Sequence, residues 1–244
     1  MAQNIYDDPD FFRGYSTLPR QVLGLAGAPE WPAIERLMPA LAGKRVIDLG
    51  CGFGWVSRWM REQGAASVLG IDLSENMLRR ASADTVDAAI AYRIADLETL
   101  DLPKAAFDFA YSALTFHYIA NFTRLMQVIH CALTPGAGFV FTIEHPIFMA
   151  AAHPGWMADV DGRKIWPVNG YAMEGERRTS WFAEGVIKYH RTMATTLNAV
   201  IGAGFVIERL DEFAPSDRQI AEMPELAEER ERPMLLLVRA RRDP

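Results

Sequence analysis

Cysteine is scarce in this sequence: Cys51 and Cys131 are the only two among 244 residues. Two thiols without metal-like spacing support neither a disulfide framework nor a zinc cluster. Long apolar runs are missing as well. No uninterrupted stretch approaches the roughly 20 residues that span a bilayer. The opening "MAQNIYDDPDFF" is acidic and lacks an apolar signal-peptide core. A soluble, cytoplasmic protein with no membrane partner is the expectation. Positive charge is thin too: the formal net charge is −6, and no Lys/Arg-rich run precedes the terminal "RARR". Nucleic-acid binding relies on phosphate neutralisation by basic side chains, so no nucleic-acid partner is expected. Internal repeats, low-complexity tracts and linker-like stretches are also absent, and residues 1–244 read as a single domain.

What is present is ordinary for a globular protein: half the residues are hydrophobic and 23% are charged. Strand-like and helix-like segments alternate. "KRVIDLG" (44–50) reads as a short buried strand, and "WVSRWMREQG" (55–64) has helical spacing ending at Gly64. "SVLGIDL" (67–73) is a second strand. Ser74 is placed to cap a helix over "ENMLRRAS", with Met77 and Leu78 on its buried side. Strands follow at 90–96 and 107–114, a helix at 122–132 and a strand at 138–145. "RTMATTLNAVIGAG" reads as a further helix, and "FVIERLDEF" and "PMLLLVRARR" as closing strands, the last pair antiparallel. This alternation argues for parallel crossover units in a three-layer α/β architecture.

Two segments break the pattern. Residues 1–30 carry Tyr6, Phe11, Phe12, Arg13, Tyr15 and Arg20 ahead of the first strand. Residues 145–190 form a gap too long for a structureless connection, which suggests a lid or extra subdomain. That gap holds Phe148, Trp156, Trp166, Tyr171, Trp181, Phe182 and Tyr189, together with His145, His153 and His190. Its charges balance, five acidic against five basic. The aromatics suit a substrate-side wall, a satellite core or a dimer interface equally.

The sharpest local feature is "VIDLGCGFGW" (46–55), a strand running into a helix through glycines at alternate positions, Gly50, Gly52 and Gly54. Such a turn sets backbone N–H groups and a positive helix end beside a ligand. The dinucleotide fingerprint needs a further glycine where Trp55 stands. The spacing present is Asp-x-Gly-x-Gly-x-Gly, from Asp48 to Gly54.

On these residues the chain resembles the class I S-adenosylmethionine-dependent methyltransferases. The resemblance implies a Rossmann-like three-layer sandwich with a mostly parallel seven-stranded sheet and an antiparallel last strand. It further implies an N-terminal lid (1–30) and an insertion after strand five (145–190). It places Asp48, Gly50, Cys51, Gly52 and Gly54 along the cofactor, with Cys51 contributing backbone. Asp72, ending strand two, matches the acid for the ribose hydroxyls, and Asp96 the acid that receives the adenine amino group. Leu73 and Leu97 would border the adenine, with Met77 also against the cofactor. "FDFAYSALTFHYI" resembles the strand-four motif, putting Ser112 and Leu114 beside the methionine moiety and His117 toward the cleft. Tyr15 and Arg20 fall where the lid covers the cofactor, an arginine there suiting the methionine carboxylate. "NIYDDPDFF", "EHPIF" (144–148) and "KYHRT" (188–192) resemble a subgroup of small bacterial methyltransferases of mostly unassigned substrate.

The implied activity is methyl transfer from S-adenosylmethionine to a small-molecule acceptor, leaving S-adenosylhomocysteine, with no metal. An in-line displacement needs alignment above all, and a base only for a protonated acceptor. His117 and His145 follow strands at their carboxyl ends, where α/β sheets hold ligands, and are the candidate bases. Glu144 is a further candidate, and Tyr189 and His190 are candidate substrate contacts. Arg177 and Arg178 suit either an anionic substrate or solvent. The competing readings are binding of the cofactor without catalysis and a nicotinamide-dependent oxidoreductase, which Trp55 disfavours. Nucleic-acid methylation is disfavoured by the absence of any Pro-Pro pair, which the base-flipping motif requires. Oligomeric state is left open.

Overall fold

The computed structural model describes residues 3–244; residues 1 and 2 of the expected lid lie outside the described residues. Three short helices come first, α1 (Pro9–Tyr15), α2 (Pro19–Val22) and α3 (Trp31–Leu37). Strands and helices then alternate: β1 (Arg45–Leu49), α4 (Trp55–Glu62), β2 (Ser67–Asp72), α5 (Glu75–Ala83), β3 (Ile90–Ile94), β4 (Phe107–Ala113), α6 (Phe122–Ala132) and β5 (Leu133–Glu144). The interruption contains α7 (Pro146–Met149), the short strands β6 (Met157–Ala158) and β7 (Lys164–Ile165), and a hairpin of β8 (Gly175–Trp181) with β9 (Ala183–His190). Four elements follow: α8 (Met193–Gly202), β10 (Phe205–Glu212), α9 (Asp217–Glu222) and β11 (Leu235–Arg242).

Local chemistry accounts for the element ends. Ser74, Asn121 and Thr192 each accept a hydrogen bond from the backbone N–H three residues on, capping α5, α6 and α8. The fifth strand begins earlier than the expected residue 138. Leu133 already pairs with Phe107, and the register then shifts before Phe109 meets Gly138. Gly136, at φ +77°, lets the chain make that irregularity inside a strand.

The main sheet has the order β10-β11-β5-β4-β1-β2-β3. Neighbours from β5 through β3 are parallel, and β11 lies antiparallel to both β5 and β10. This is the Rossmann-like sheet that the alternation and the resemblance imply. Alternation along the strands divides the core into two layers. Val46, Val140, Leu235 and Leu237 face Trp31, Ile34, Leu37 and Met60 of α3 and α4. Ile47, Phe139, Phe141 and Leu236 face Phe122, Leu125 and Ile129 of α6 and Val200 of α8. Each buried side chain of this size contributes roughly 1.5–3 kcal/mol, so the sheet is a rigid platform for whatever its edge carries.

Because β1, β2, β4 and β5 are parallel, their carboxyl ends share one edge. The N-terminal segment is fastened there. Asp7 accepts from Ser74 Oγ (2.5 Å), Asn76 N (3.1 Å) and Glu75 N (3.3 Å), joining the segment to the start of α5. From the other side the tip of the β8–β9 hairpin clasps α1. Phe11 lies edge-on to Trp181 and Phe182, at 5.4 and 6.0 Å between ring centroids. The aromatics of the interruption therefore divide into two groups. Trp181 and Phe182 hold the N-terminal segment. Phe148, Trp156 and Trp166 instead surround the Arg232 guanidinium at 4.6, 5.3 and 4.3 Å, forming a satellite cluster.

Asp7→Ala removes the carboxylate that accepts three hydrogen bonds at the α5 terminus, and loss of one capping side chain costs about 1 kcal/mol. Amide exchange should accelerate across residues 4–18 while β1, β4 and β5 stay protected. Unchanged exchange in that segment would place its tether elsewhere.

Candidate active site

The glycine turn is built by close approach. Gly50, Gly52 and Gly54 have φ of +75°, +53° and +72°. A Cβ on Gly50 would stand 2.0 Å from Thr115 Oγ1, and one on Gly54 would stand 2.2 Å from the Tyr92 hydroxyl. At Gly52 no atom lies within 4 Å of such a Cβ, so this glycine borders open space and is required only by its left-handed backbone. Two of the glycines answer to the protein's own packing, and the third to the cleft.

Two spaces adjoin the turn, and a third lies beside them. The first, about 100 Å³, is bordered by Gly50, Gly52, Asp72, Leu73, Met77, Asp96, Leu97 and Leu114. Asp72 Oδ2 accepts from Gly52 N (2.9 Å) and Oδ1 from Ser74 N (3.0 Å), which holds the carboxylate against the turn. Asp96 Oδ1 accepts from Glu98 N (2.9 Å). The second space, about 110 Å³, lies on the other side of the turn and is bordered by Tyr15, Arg20, Gln21, Asp48, Cys51 and Trp55. Two buried atoms of its lining lack partners: the donor Trp55 Nε1 and the acceptor Gln21 Oε1. The third is a cavity of about 390 Å³ bordered by Tyr6, Tyr15, Tyr118, Phe148, Trp181, His117, Glu144, Arg177 and Lys188. Tyr15 borders all three spaces, and Tyr6, Tyr118 and Leu114 border the first and third. Leu114 sits at φ +53°, a strained conformation for a branched side chain at the junction itself.

The electrostatics follow from burial. Asp48 accepts from Ser57 Oγ (2.6 Å). Burial still pushes its carboxyl up to about 7, the Asp72 charge adding to the effect and the Ser57 bond opposing it. Asp72 is raised as well, chiefly by burial, against its backbone hydrogen bonds. Burial raises Tyr6 and Tyr118 and takes Tyr15 up to about 12, so all three remain neutral phenols. Burial also raises the Cys51 thiol well above its ordinary value, leaving it an inert packing group.

In the cavity Lys188 Nζ donates to Glu144 Oε1 at 2.5 Å, both side chains being buried. Burial raises the Glu144 carboxyl, while Lys188 draws it back down. His117 Nδ1 accepts from the Glu144 backbone N–H at 3.4 Å, which leaves the ring proton on Nε2, 4.0 Å from Glu144 Oε1. Burial, with the Lys188 and Arg191 charges, holds His117 well below its ordinary value, hence neutral. Among the described residues no cluster of three His, Cys, Asp or Glu side chains could hold a metal ion.

Several expected residues lie elsewhere. His145 borders none of these spaces. Its Nδ1 accepts from Ile147 N (3.1 Å), capping α7, and its Nε2 pairs with Glu212 Oε1 (2.8 Å). It cannot act as a base on anything in the cavity. Tyr189 borders a neighbouring crevice of about 20 Å³ that shares His117, Glu144 and Met149 with the cavity, and His190 donates through Nε2 to the Tyr171 carbonyl (2.8 Å). Successive strand residues face opposite ways, so a reading displaced by one residue picked Tyr189 in place of Lys188. Ser112 is fully buried and donates to the Leu49 carbonyl (2.7 Å), tying β4 to β1 instead of lining a cleft. Gly54 serves as the left-handed start of α4. Arg20 borders the second space and the cavity, but it is ion-paired with buried Glu30 at 2.8 Å and so is not a free cation. Sequence reasoning missed Lys188, Tyr6, Tyr118, Trp181 and the polar groups of Gln21 and Trp55. Only the aromatic concentration in residues 1–30 and 145–190 hinted at them.

Comparisons with known proteins bear on the family and the fold. Residues 47–141 match the sequence family described as a methyltransferase domain. The crystal structure of an S-adenosylmethionine-dependent methyltransferase from Mesorhizobium loti is 56% identical with a TM-score of 0.87, covering 90% of this chain and 100% of that one. A Listeria monocytogenes protein provisionally assigned to the same class is 36% identical with a TM-score of 0.81, covering 89% of this chain and 99% of that one. An uncharacterized protein of Haemophilus influenzae is 34% identical over 249 residues, 98% of this chain and 97% of its own length.

The raised Asp48 carboxyl has a stability consequence. Its folded value of about 7 exceeds the ordinary 3.8, so folding favours the protonated form. The stabilisation is complete below the ordinary value and is lost as pH rises through about 7. Asp48→Asn keeps an acceptor for Ser57 without the charge. Its thermal midpoint, measured without ligand, should gain on that of the unmodified protein as pH rises across this window. Parallel pH profiles would reject the assignment.

Proposed function

The chain belongs to the class I S-adenosylmethionine-dependent methyltransferases, and on that premise we propose that it methylates a small-molecule acceptor seated in the 390 Å³ cavity. The observation that carries this reading is the position of Tyr15, which borders both half-clefts along the glycine turn and the aromatic-walled cavity beside them. Residues 1–244 act as one domain in this reading, with 1–30 as the lid and 145–190 as the acceptor-side insertion.

The residues of the half-clefts suit S-adenosylmethionine. Asp72 presents two carboxylate oxygens to a vicinal diol, and Asp96 with Leu73, Met77 and Leu97 suits a flat base with an exocyclic amine. On the far side of the turn, the unpartnered Trp55 Nε1 donor and Gln21 Oε1 acceptor complement an amino-acid carboxylate and ammonium. Such orphaned polar atoms cost free energy until a ligand satisfies them. When bound, the cofactor supplies a methyl group on a sulfonium. The task of the chain is then to align and to exclude water. Tyr6, Tyr15 and Tyr118 form the wall between cleft and cavity, and alignment of this kind lowers barriers by roughly 7–11 kcal/mol. An aromatic wall of moderate polarity suits a small, partly apolar acceptor.

Asp72→Ala should weaken S-adenosylhomocysteine binding by roughly 1.5–3 kcal/mol, the range for hydrogen bonds to a charged group. Titration calorimetry checks this, with the thermal midpoint recorded alongside because Asp72 also holds the turn. Unchanged affinity would reject the ribose assignment.

A further inference from the structure

We propose that the acceptor is a flat, uncharged or anionic compound bearing an acidic hydroxyl of the phenol or enol class, and that Glu144 takes its proton while Lys188 holds the oxygen. This inference rests on the methyltransferase reading of the same cavity.

Charge sets the class. Among the described residues that border the cavity, Glu144 is the one carboxylate, against Arg20, Arg177 and Lys188. Arg20 is neutralised by Glu30. Arg177 donates to the Ala150 and Met173 carbonyls, which leave its charge uncompensated. A cationic acceptor would enter a site that already holds excess positive charge and faces a sulfonium. An anion, or a group becoming one, is favoured there.

Geometry sets the roles. Glu144 Oε2 is buried with no hydrogen-bond partner, whereas Oε1 is occupied by Lys188. The carboxylate therefore has one oxygen anchored and one unpartnered, and the unpartnered oxygen is the proton acceptor in this proposal. His117 is unsuited to that work. Its Nδ1 is occupied by the Glu144 N–H, and its Nε2 carries the proton, directed at Glu144 Oε1 from 4.0 Å. His117 is a positioning residue behind Glu144. The Lys188 ammonium lies 5.3 Å from the Trp181 ring centroid and 5.8 Å from that of Tyr118, so a flat ring between these walls would set its hydroxyl beside both members of the pair. In the transfer the hydroxyl proton passes to Glu144 Oε2 and the oxygen's electron pair forms the new O–CH3 bond. The pair of the broken S–CH3 bond leaves with sulfur, giving a neutral thioether.

The test uses 4-nitrophenol, whose ionisation is visible, with the full-length protein saturated with S-adenosylhomocysteine. The titratable and charged groups around the pair are His117, Tyr6, Tyr15, Tyr118, Arg20, Arg177, Arg191 and Arg232, and they are left intact. Bound nitrophenol should ionise at higher pH in Lys188→Met and at lower pH in Glu144→Gln than in the unmodified protein. With S-adenosylmethionine supplied, Glu144→Gln should lose roughly 10²-fold in turnover at pH values where the probe is protonated, the scale of one acid–base group. That loss should shrink as pH rises and the probe ionises unaided. The double variant Glu144→Gln/Lys188→Met leaves no unpaired buried charge, and its retained affinity for S-adenosylhomocysteine controls for folding. Failure of the unmodified protein to bind S-adenosylhomocysteine overturns the methyltransferase reading and this inference together. Intact S-adenosylhomocysteine binding with no nitrophenol binding overturns this inference alone. So does tighter binding of 4-nitrobenzylamine, or a Glu144→Gln loss independent of pH.

Discussion

The site hangs on one carboxylate. Asp72 ends β2, yet its two oxygens accept from Gly52 in the glycine turn and from Ser74 at the head of α5. Ser74 in turn donates to Asp7, so a single chain of polar contacts runs from the turn through β2 to the N-terminal segment. Hydrogen bonds to a charged group contribute roughly 1.5–3 kcal/mol apiece, which offsets part of the burial that raises this carboxyl. Without that anchor, a turn built on three left-handed glycines would have little to hold its shape, because glycine loses more backbone freedom on folding than any other residue.

A second constraint is the clasp across the sheet edge. Tyr6, Phe11 and Tyr15 interlock edge to face with Tyr118 and Trp181. Aromatic pairs of this kind contribute roughly 0.5–1.5 kcal/mol beyond their burial. The wall of the cavity and the fastening of the N-terminal segment are thus the same contacts. Phe11 is the one fully buried residue of α1, while the sheet behind it is buried on both faces. A ligand arriving at the turn meets elements that are cheaper to move than the platform beneath them.

The Glu144–Lys188 pair adds a demand of another kind. Both groups give up hydration, and a buried pair recovers that cost only through tight geometry. Here β5 supplies the carboxylate and β9 the ammonium, two strands that belong to different sheets. The insertion therefore does more than cover the edge. It carries the counter-charge that lets an acid sit in an aromatic cavity, with His117 behind it as a neutral support.

Much of this was legible along the chain because its causes are local. The alternation of short strands and capped helices, the Gly50–Gly52–Gly54 turn, and acids at the ends of β2 and β3 all express interactions within a few residues. A glycine at a left-handed position or a serine three residues before a free N–H needs no distant partner to be recognised. His145, Ser112, Tyr189 and His190 were misjudged for the opposite reason. Their surroundings come from Glu212, Leu49, a crevice beneath α8 and Tyr171, which only the assembled fold brings near. Lys188 was passed over because the two faces of a strand differ by one residue, and composition cannot say which face meets Glu144. By itself, then, the sequence determined the sheet, its crossover helices and the glycine turn, all written in periodicity and short-range hydrogen bonding. The tertiary structure alone decided which histidine is spent on a helix cap, which acid is left with a free oxygen, and which lysine stands beside it. Those assignments depend on burial and charge shared between segments far apart in the chain.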